Sequence, residues 1–190
     1  MPQDPTDAEL VAAYKAGDPE ALGALMERHK AAVYGYLLRL TGRPDAADDI
    51  FEEVFIKLVK NPGAYGERER FSAWLFTVAR NAAMDYFRRG SSRGEVPLEG
   101  DGEKPGPGDF AVSPEPGPEE VLANKELGER IGAALDSLSA DQREVFYLRH
   151  YSGLSFREIA GILGVPIGTV LARMSRTAAR LRDILGAGVQ

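Results

Sequence analysis

The sequence predicts an all-α protein: two small helical domains joined by a flexible, acidic Gly/Pro-rich linker, the second domain carrying a helix-turn-helix. Three observations lead there. Apolar residues recur at helical spacing on both sides of the middle of the chain, and no alternating strand pattern competes with them. Residues 90–118 break that period, with seven Gly, six Pro and six acids against only Arg93 and Lys104, a composition that favours extended, mobile chain. Three capping boxes mark helix starts: Thr6 with Glu9, Ser139 with Gln142, and Ser155 with Glu158. The expected domains are therefore 6–89 and 119–186, with 90–118 between them.

In the first domain, Thr6 and Glu9 open a short helix that stops near Gly17. Asp18-Pro19 restarts a helix, pairing an N-cap with a proline in the first turn. Its apolar row is Leu22, Leu25, Met26, Val33, Leu37 and Leu40, and Thr41-Gly42 ends it. Pro44-Asp45 opens a third helix to about Lys60. A loop, Asn61 to Arg70, leads into a fourth helix from Phe71 to Arg89.

The second domain begins with a helix from Glu119 to Leu138, with Leu127, Ile131, Ala134 and Leu138 on one side. The two capping boxes place further helices after Ser139 and Ser155, and a last helix starts near Ile167. Within Ser155–Val170, Ile159, Ile162 and Leu163 make an apolar face. Ala160 is small where two helices cross, and Gly164 suits a turn that needs positive φ. Val170 is expected to pack the last helix back on the one before it. Together these features make a DNA-binding helix-turn-helix.

The last helix extends that reading. Val170, Met174, Thr177, Leu181 and Ile184 share an apolar row, and Thr169, Arg173, Arg176 and Arg180 lie beside it. From Val165 to Gln190 there are four Arg and one Asp, a local +3 in a chain whose net charge is −6. A local basic stripe decides nucleic-acid binding more than the total does, and the arginine fork suits both phosphates and guanine edges.

Composition excludes several other classes. The absence of cysteine removes disulfides and thiolate metal sites, and two histidines, His29 and His150, are too few for an imidazole site. His29, near the apolar row of its helix, is expected to be structural. No nucleophile with a base and no phosphate-binding loop is present, so neither catalysis nor a cofactor is expected. Apolar runs are too short for a membrane span, and the acidic start of the chain has no signal-peptide pattern, which implies a cytoplasmic protein. From the helix-turn-helix alone, a ligand-sensing or dimerising transcriptional regulator remains the alternative to a component of the transcription machinery.

The residues then carry a family resemblance. Gly164-Val-Pro-Ile-Gly-Thr-Val170, followed by Arg173 and Arg176, resembles the promoter-reading domain of the extracytoplasmic-function (ECF) sigma factors of bacterial RNA polymerase, as does its approach, Leu138 to Leu148. Asp45-Ala-Ala-Asp-Asp-Ile-Phe-Glu-Glu-Val-Phe-Ile-Lys-Leu58 resembles their polymerase-binding segment. Phe71 to Arg89 resembles the segment that melts and reads the −10 element. The likeness covers nearly all of the chain except the linker.

The resemblance implies a sigma subunit that gives core RNA polymerase its promoter specificity, with promoter DNA, both duplex and melted, as its other partner. It implies contacts to the β′ coiled coil and the β subunit, an anti-sigma protein as inhibitor, and a place on the nucleoid when in holoenzyme. Polymerase docking falls to Asp48, Asp49, Glu52 and Glu53, with Ile56 as an apolar anchor in the charged rim. The −10 element falls to Tyr65, Arg80, Asn81 and Arg88. In the Phe71 helix, Leu75, Val78, Ala79, Ala82 and Tyr86 are expected in the core, with Trp74 packed at its border. The other side, Phe76, Arg80, Ala83 and Phe87, interleaves aromatics with arginine, as single-stranded DNA requires. The −35 element falls to Thr169, Leu171, Ala172, Arg173, Ser175, Arg176 and Arg180. Leu171 and Ala172 stand where such proteins commonly carry a Lys or Arg and then a Ser, which removes a phosphate contact and a base contact. The linker is expected to let the two domains move independently.

Overall fold

The computed structural model describes residues 4–60, 65, 70–93 and 131–186. Helices α1 (Asp7–Lys15), α2 (Pro19–Thr41), α3 (Pro44–Lys60) and α4 (Phe71–Arg93) build the first domain. The helical residues 131–136, called α5, then lead into α6 (Ala140–Ser152), α7 (Phe156–Leu163) and α8 (Ile167–Gly186). No strand occurs among the described residues, as expected of the all-α class. Residues 94–130, which take in most of the expected linker, the first part of the expected Glu119–Leu138 helix and Leu127, lie outside them.

Local signals set the helix ends as the sequence predicts. All three capping boxes form, and Asp18 caps α2 by accepting from the Glu20 amide at 2.9 Å, with Pro19 in the first turn. Gly42 and Gly164 close α2 and α7 with φ of +67° and +66°, a region that costs glycine nothing sterically. One boundary differs. α4 continues past Arg89 to Arg93, and Gly90 within it is buried. Ordered packing there outweighs the weak helix propensity of glycine.

The apolar rows meet in the core. Leu22, Leu25, Val33 and Leu37 of α2 are buried against Ile50, Val54 and Leu58 of α3 and Leu75, Ala79 and Ala82 of α4. Tyr36, which the expected α2 row omits, is fully buried and sets its ring edge-on to Phe76, centroids 5.5 Å apart. His29 is structural, as expected: its Nε2 lies 2.8 Å from Asp7 and its ring 5.4 Å from that of Phe71, tying α1 to α2 and α4.

The two domains do not sit apart. α2 packs on α6, and α4 packs on both α6 and α7, so one continuous core runs from Leu10 to Val170. In this arrangement the two domains, expected to move independently, are in contact. The helices come close at Gly35 of α2, where a Cβ atom would stand 2.6 Å from the Tyr151 ring of α6. A larger residue there would force the Tyr151 ring or the helices to shift.

Candidate nucleic-acid and polymerase interfaces

The amphipathic pattern of α3 buries Ile50, Val54, Phe55 and Leu58, and so turns Asp48, Asp49, Glu52 and Ile56 outward. Ile56 is 41% exposed and Val59, one turn further on, is 52% exposed. Val59 continues the Glu52–Ile56 stripe at helical spacing and belongs with it, although the sequence reading stops at Ile56. Glu53 is only half exposed and is already occupied. Lys57 Nζ holds it at 2.7 Å and Arg89 reaches it at 3.3 Å, and these bonds bring its pKa below the usual carboxylate range. Glu53 thus ties α3 to α4, while Asp48, Asp49, Glu52, Ile56 and Val59 form an open apolar strip with an acidic rim.

The outward face expected for α4 is different. Phe76 and Ala83 are fully buried, Arg80 and Phe87 are half-buried, and only Asn81 and Arg88 of the candidate residues lie open. The reason is that α4 is flanked on two sides, by α2 and α3 and by α6 and α7. Phe76 is therefore a core residue in this arrangement and not an open stacking platform. Leu75, Ala79 and Ala82 are buried as expected, and Val78, Tyr86 and Trp74 are half-buried.

Arg80 carries a polar link between the domains. Its Nε donates to Glu144 of α6 at 2.8 Å, with the side chains 22% and 12% exposed. The Tyr36 hydroxyl is buried nearby, and burial together with the Glu144 charge pushes its pKa well above the ordinary value. A second, outer pair joins Arg70 to Glu158 of α7 at 3.7 Å. Arg88 pairs with Asp85 on its own helix. Tyr65 is half-buried, its ring edge-on to Phe71 and Trp74 at 5.6 and 5.9 Å, with the Lys15 ammonium 5.6 Å from its centroid. The other residues of the 61–69 loop lie outside those described.

In the second domain the chain bends by 109° between α7 and α8, within the range of a helix-turn-helix. Ile159, Ala160 and Ile162 of α7 are buried with Val170 of α8. Thr177 is also buried, its hydroxyl donating to the Arg173 carbonyl at 3.0 Å. With that row facing in, Ile167, Gly168, Leu171, Ser175, Arg176 and Arg180 face out, and Thr169 and Ala172 are half-buried.

The arginines of α8 are not equivalent. Arg173, only 18% exposed, pairs with Asp141 of α6, and Arg180 Nε donates to the Ser137 hydroxyl at 3.2 Å. Arg176 is exposed and makes no hydrogen bond or ion pair among the described residues. Ile167 and Leu171 are 44% and 46% exposed on the opposite edge of the helix. Leu171 is among the sequence candidates and Ile167 is not, although its place on the first turn was readable. Glu144, which engages Arg80, has no local signal at all, because a contact between distant helices leaves no periodicity.

Among the described residues no group of His, Cys, Asp and Glu could hold a metal ion, and no single helix is long and apolar enough to cross a membrane.

Comparison with known proteins agrees with this layout. Residues 25–93 match the Sigma-70 region 2 family and residues 128–181 match Sigma-70, region 4. The chain is 34% identical over 172 residues to the ECF RNA polymerase sigma factor SigE of Mycolicibacterium smegmatis, covering 89% of this chain and 64% of that protein, so it spans just under two thirds of that relative. It is 35% identical over 169 residues to the ECF RNA polymerase sigma factor SigL of Mycobacterium tuberculosis, covering 88% of this chain and 90% of that one. The fold is similar to that of the sigma factor RpoE in complex with the anti-sigma factor NepR from Bartonella quintana, with a TM-score of 0.64, 26% identity, and coverage of 87% of this chain and 97% of that one. On these sequence matches, spread over both helical domains, the chain belongs to the ECF family of RNA polymerase sigma factors.

Proposed function

We propose that this chain directs core RNA polymerase to promoters and starts transcription there, with no reaction of its own. The first domain docks on the polymerase through Asp48, Asp49, Glu52, Ile56 and Val59 and meets the melted −10 element through Asn81, Arg88, Tyr65 and, once released, Arg80. The second domain meets the −35 duplex through the outward arc of α8, with Arg176 foremost and Thr169, Leu171, Ala172 and Ser175 around it. The observation that carries this reading is the open strip on α3. A pair of exposed aliphatics inside an acidic rim is a poor solvated face, but a good anchor for a basic, partly apolar partner such as the β′ coiled coil.

With its Nε given to Glu144 and its side chain only 22% exposed, Arg80 offers little to a DNA phosphate in this arrangement. The compact arrangement is therefore the free or inhibited form, and polymerase binding separates the domains far enough to release that side chain. An anti-sigma protein, such as the one bound to the Bartonella relative, would act by holding the domains in this arrangement or by covering the α3 strip. Run-off transcription with purified core polymerase on a genomic promoter library tests the proposal: specific initiation that depends on this chain is expected. Tight, sequence-specific binding of the free chain to duplex promoter, with no effect on core polymerase, would refute it.

A further inference from the structure

We infer that Ile167 and Leu171 form an apolar reading edge on α8 that contacts the C5-methyl groups of thymines in the −35 element. The inference rests on the assignment of α8 to that element. In a helix-turn-helix the N-terminal turns of the second helix reach the base edges. Here those turns expose Ile167, Gly168, Leu171, Ser175 and Arg176, with Ala172 half-buried. Arg173, the other basic residue of these turns, is committed to Asp141 and largely covered. The part of the helix that would enter the groove is therefore poor in hydrogen-bonding groups and rich in exposed carbon.

Ile167 and Leu171 lie one turn apart, and Leu171 stands about 140° around the helix from Arg176, from 100° per residue. The helix thus has an arginine edge and an aliphatic edge, separated by Gly168, Ala172 and Ser175, which are small enough to let the backbone come close. The thymine methyl is the one apolar group that a base pair presents in the major groove, whereas arginine matches guanine or phosphate. Both aliphatic side chains stay exposed while the domains are packed together, so no other part of the described chain uses them.

The test uses full-length chain bound to core RNA polymerase. Selection from promoters randomised across the −35 element should return at least one thymine step. Replacing those thymines by deoxyuridine removes only the methyl, and should weaken promoter binding by the unaltered protein roughly four-fold, the scale of one methyl-sized group taken out of water. Leu171→Ala or Ile167→Ala should bind the thymine and deoxyuridine promoters alike, whereas Arg176→Ala should lose −35 preference yet stay sensitive to the methyl. Equal binding of both promoters by the unaltered protein, or selection that returns no thymine, would overturn the inference. So would a Leu171→Ala variant that remains methyl-sensitive but loses a protein partner, which would make the edge a protein contact. If neither Arg176→Ala nor Leu171→Ala changes −35 selection, α8 is not in the groove, and the assignment beneath the inference fails.

Discussion

α3 and α4 belong to the same domain, yet one leaves a functional face open and the other has its corresponding face covered. α3 packs through one apolar stripe, and the side chains of its Asp49–Glu52–Ile56–Val59 strip are exposed. α4 is enclosed between the first-domain core and α6 and α7, with Arg80 engaged by Glu144. On the proposed reading, this arrangement leaves the polymerase-docking face open and covers much of the surface meant for melted DNA. The same proposal orders the events: docking through α3 would come first, and exposure of the α4 surface would follow from it. A factor built this way is not expected to occupy promoters before it has found polymerase.

The largest expected effect tests the open side of the comparison. Ile56→Asp, or Asp49→Lys with Glu52→Lys, should weaken binding to core polymerase at least roughly 30-fold, the loss typical of a hot-spot residue at about 2 kcal/mol or more. Because these side chains are exposed, thermal stability should stay within about 0.5 kcal/mol of the parent. Fluorescence anisotropy with labelled chain and a melting curve settle both points. Unfolding of these variants would show that the strip is core.

The covered side breaks through Glu144. Glu144→Ala leaves the Arg80 guanidinium half-buried without its partner. Losing one member of a buried pair costs about 3–5 kcal/mol, and the residual solvent at this one reduces the expectation to roughly 2 kcal/mol. Gly35→Val attacks the same interface without touching charge, since its Cβ would meet the Tyr151 ring at 2.6 Å. Both variants should enlarge the radius of gyration in small-angle scattering while keeping helicity. If both stay compact, the interdomain packing does not depend on these contacts and the proposed order of events loses its basis.

How much of this could be read from the sequence follows the range of each interaction. Capping boxes, the Asp18-Pro19 start and the Gly164 turn act within four residues, and all form as expected. The outward α3 residues follow from helical phase. Phase alone puts Phe76 on the open side, yet it is buried, because phase shows which residues share a side and not how many neighbours a helix has. Arg80 is at the right place for a DNA contact, but its partner Glu144 lies 64 positions away on a helix whose polar face looks solvated in isolation. Arg173 and Arg180 likewise read as free cations until Asp141 and Ser137 are brought beside them.

A smaller effect separates the α8 arginines. Arg176→Ala should reduce −35 discrimination by about 1–3 kcal/mol if it makes a bidentate contact with guanine, with little change on promoters that depend on the −10 element alone. Arg173→Ala should cost stability through the lost Asp141 pair and change promoter choice less. Transcription from paired promoters with intact and scrambled −35 sequences measures both. Equal loss on the two promoters would reduce Arg176 to a phosphate contact.

The smallest effect lies furthest from the interfaces, where α1 is fastened to α2. Burial alone would raise the pKa of Asp7, but the hydrogen bond from Arg28 and the charge and hydrogen bond of His29 outweigh it and bring the value below the ordinary one. The Arg28 Nη1 contact is 2.7 Å and the His29 Nε2 contact 2.8 Å. A carboxylate whose folded pKa lies below its unfolded pKa adds stability above the unfolded value, near 3.9 for aspartate, and loses it as pH falls through the folded value. The site is partly open to solvent, so only a few tenths of a kcal/mol are expected. Denaturant unfolding of the parent and Asp7→Asn should therefore show the parent more stable at pH 6, with the gap closing below about pH 4. A gap that persists at pH 2.5 would mean that Asp7 acts through packing and helix capping instead. Polymerase binding should change little at pH 7: α1 reaches α3 through the Tyr14 hydroxyl, which donates to the Val59 carbonyl at 3.3 Å, and the side chains of the strip stay exposed.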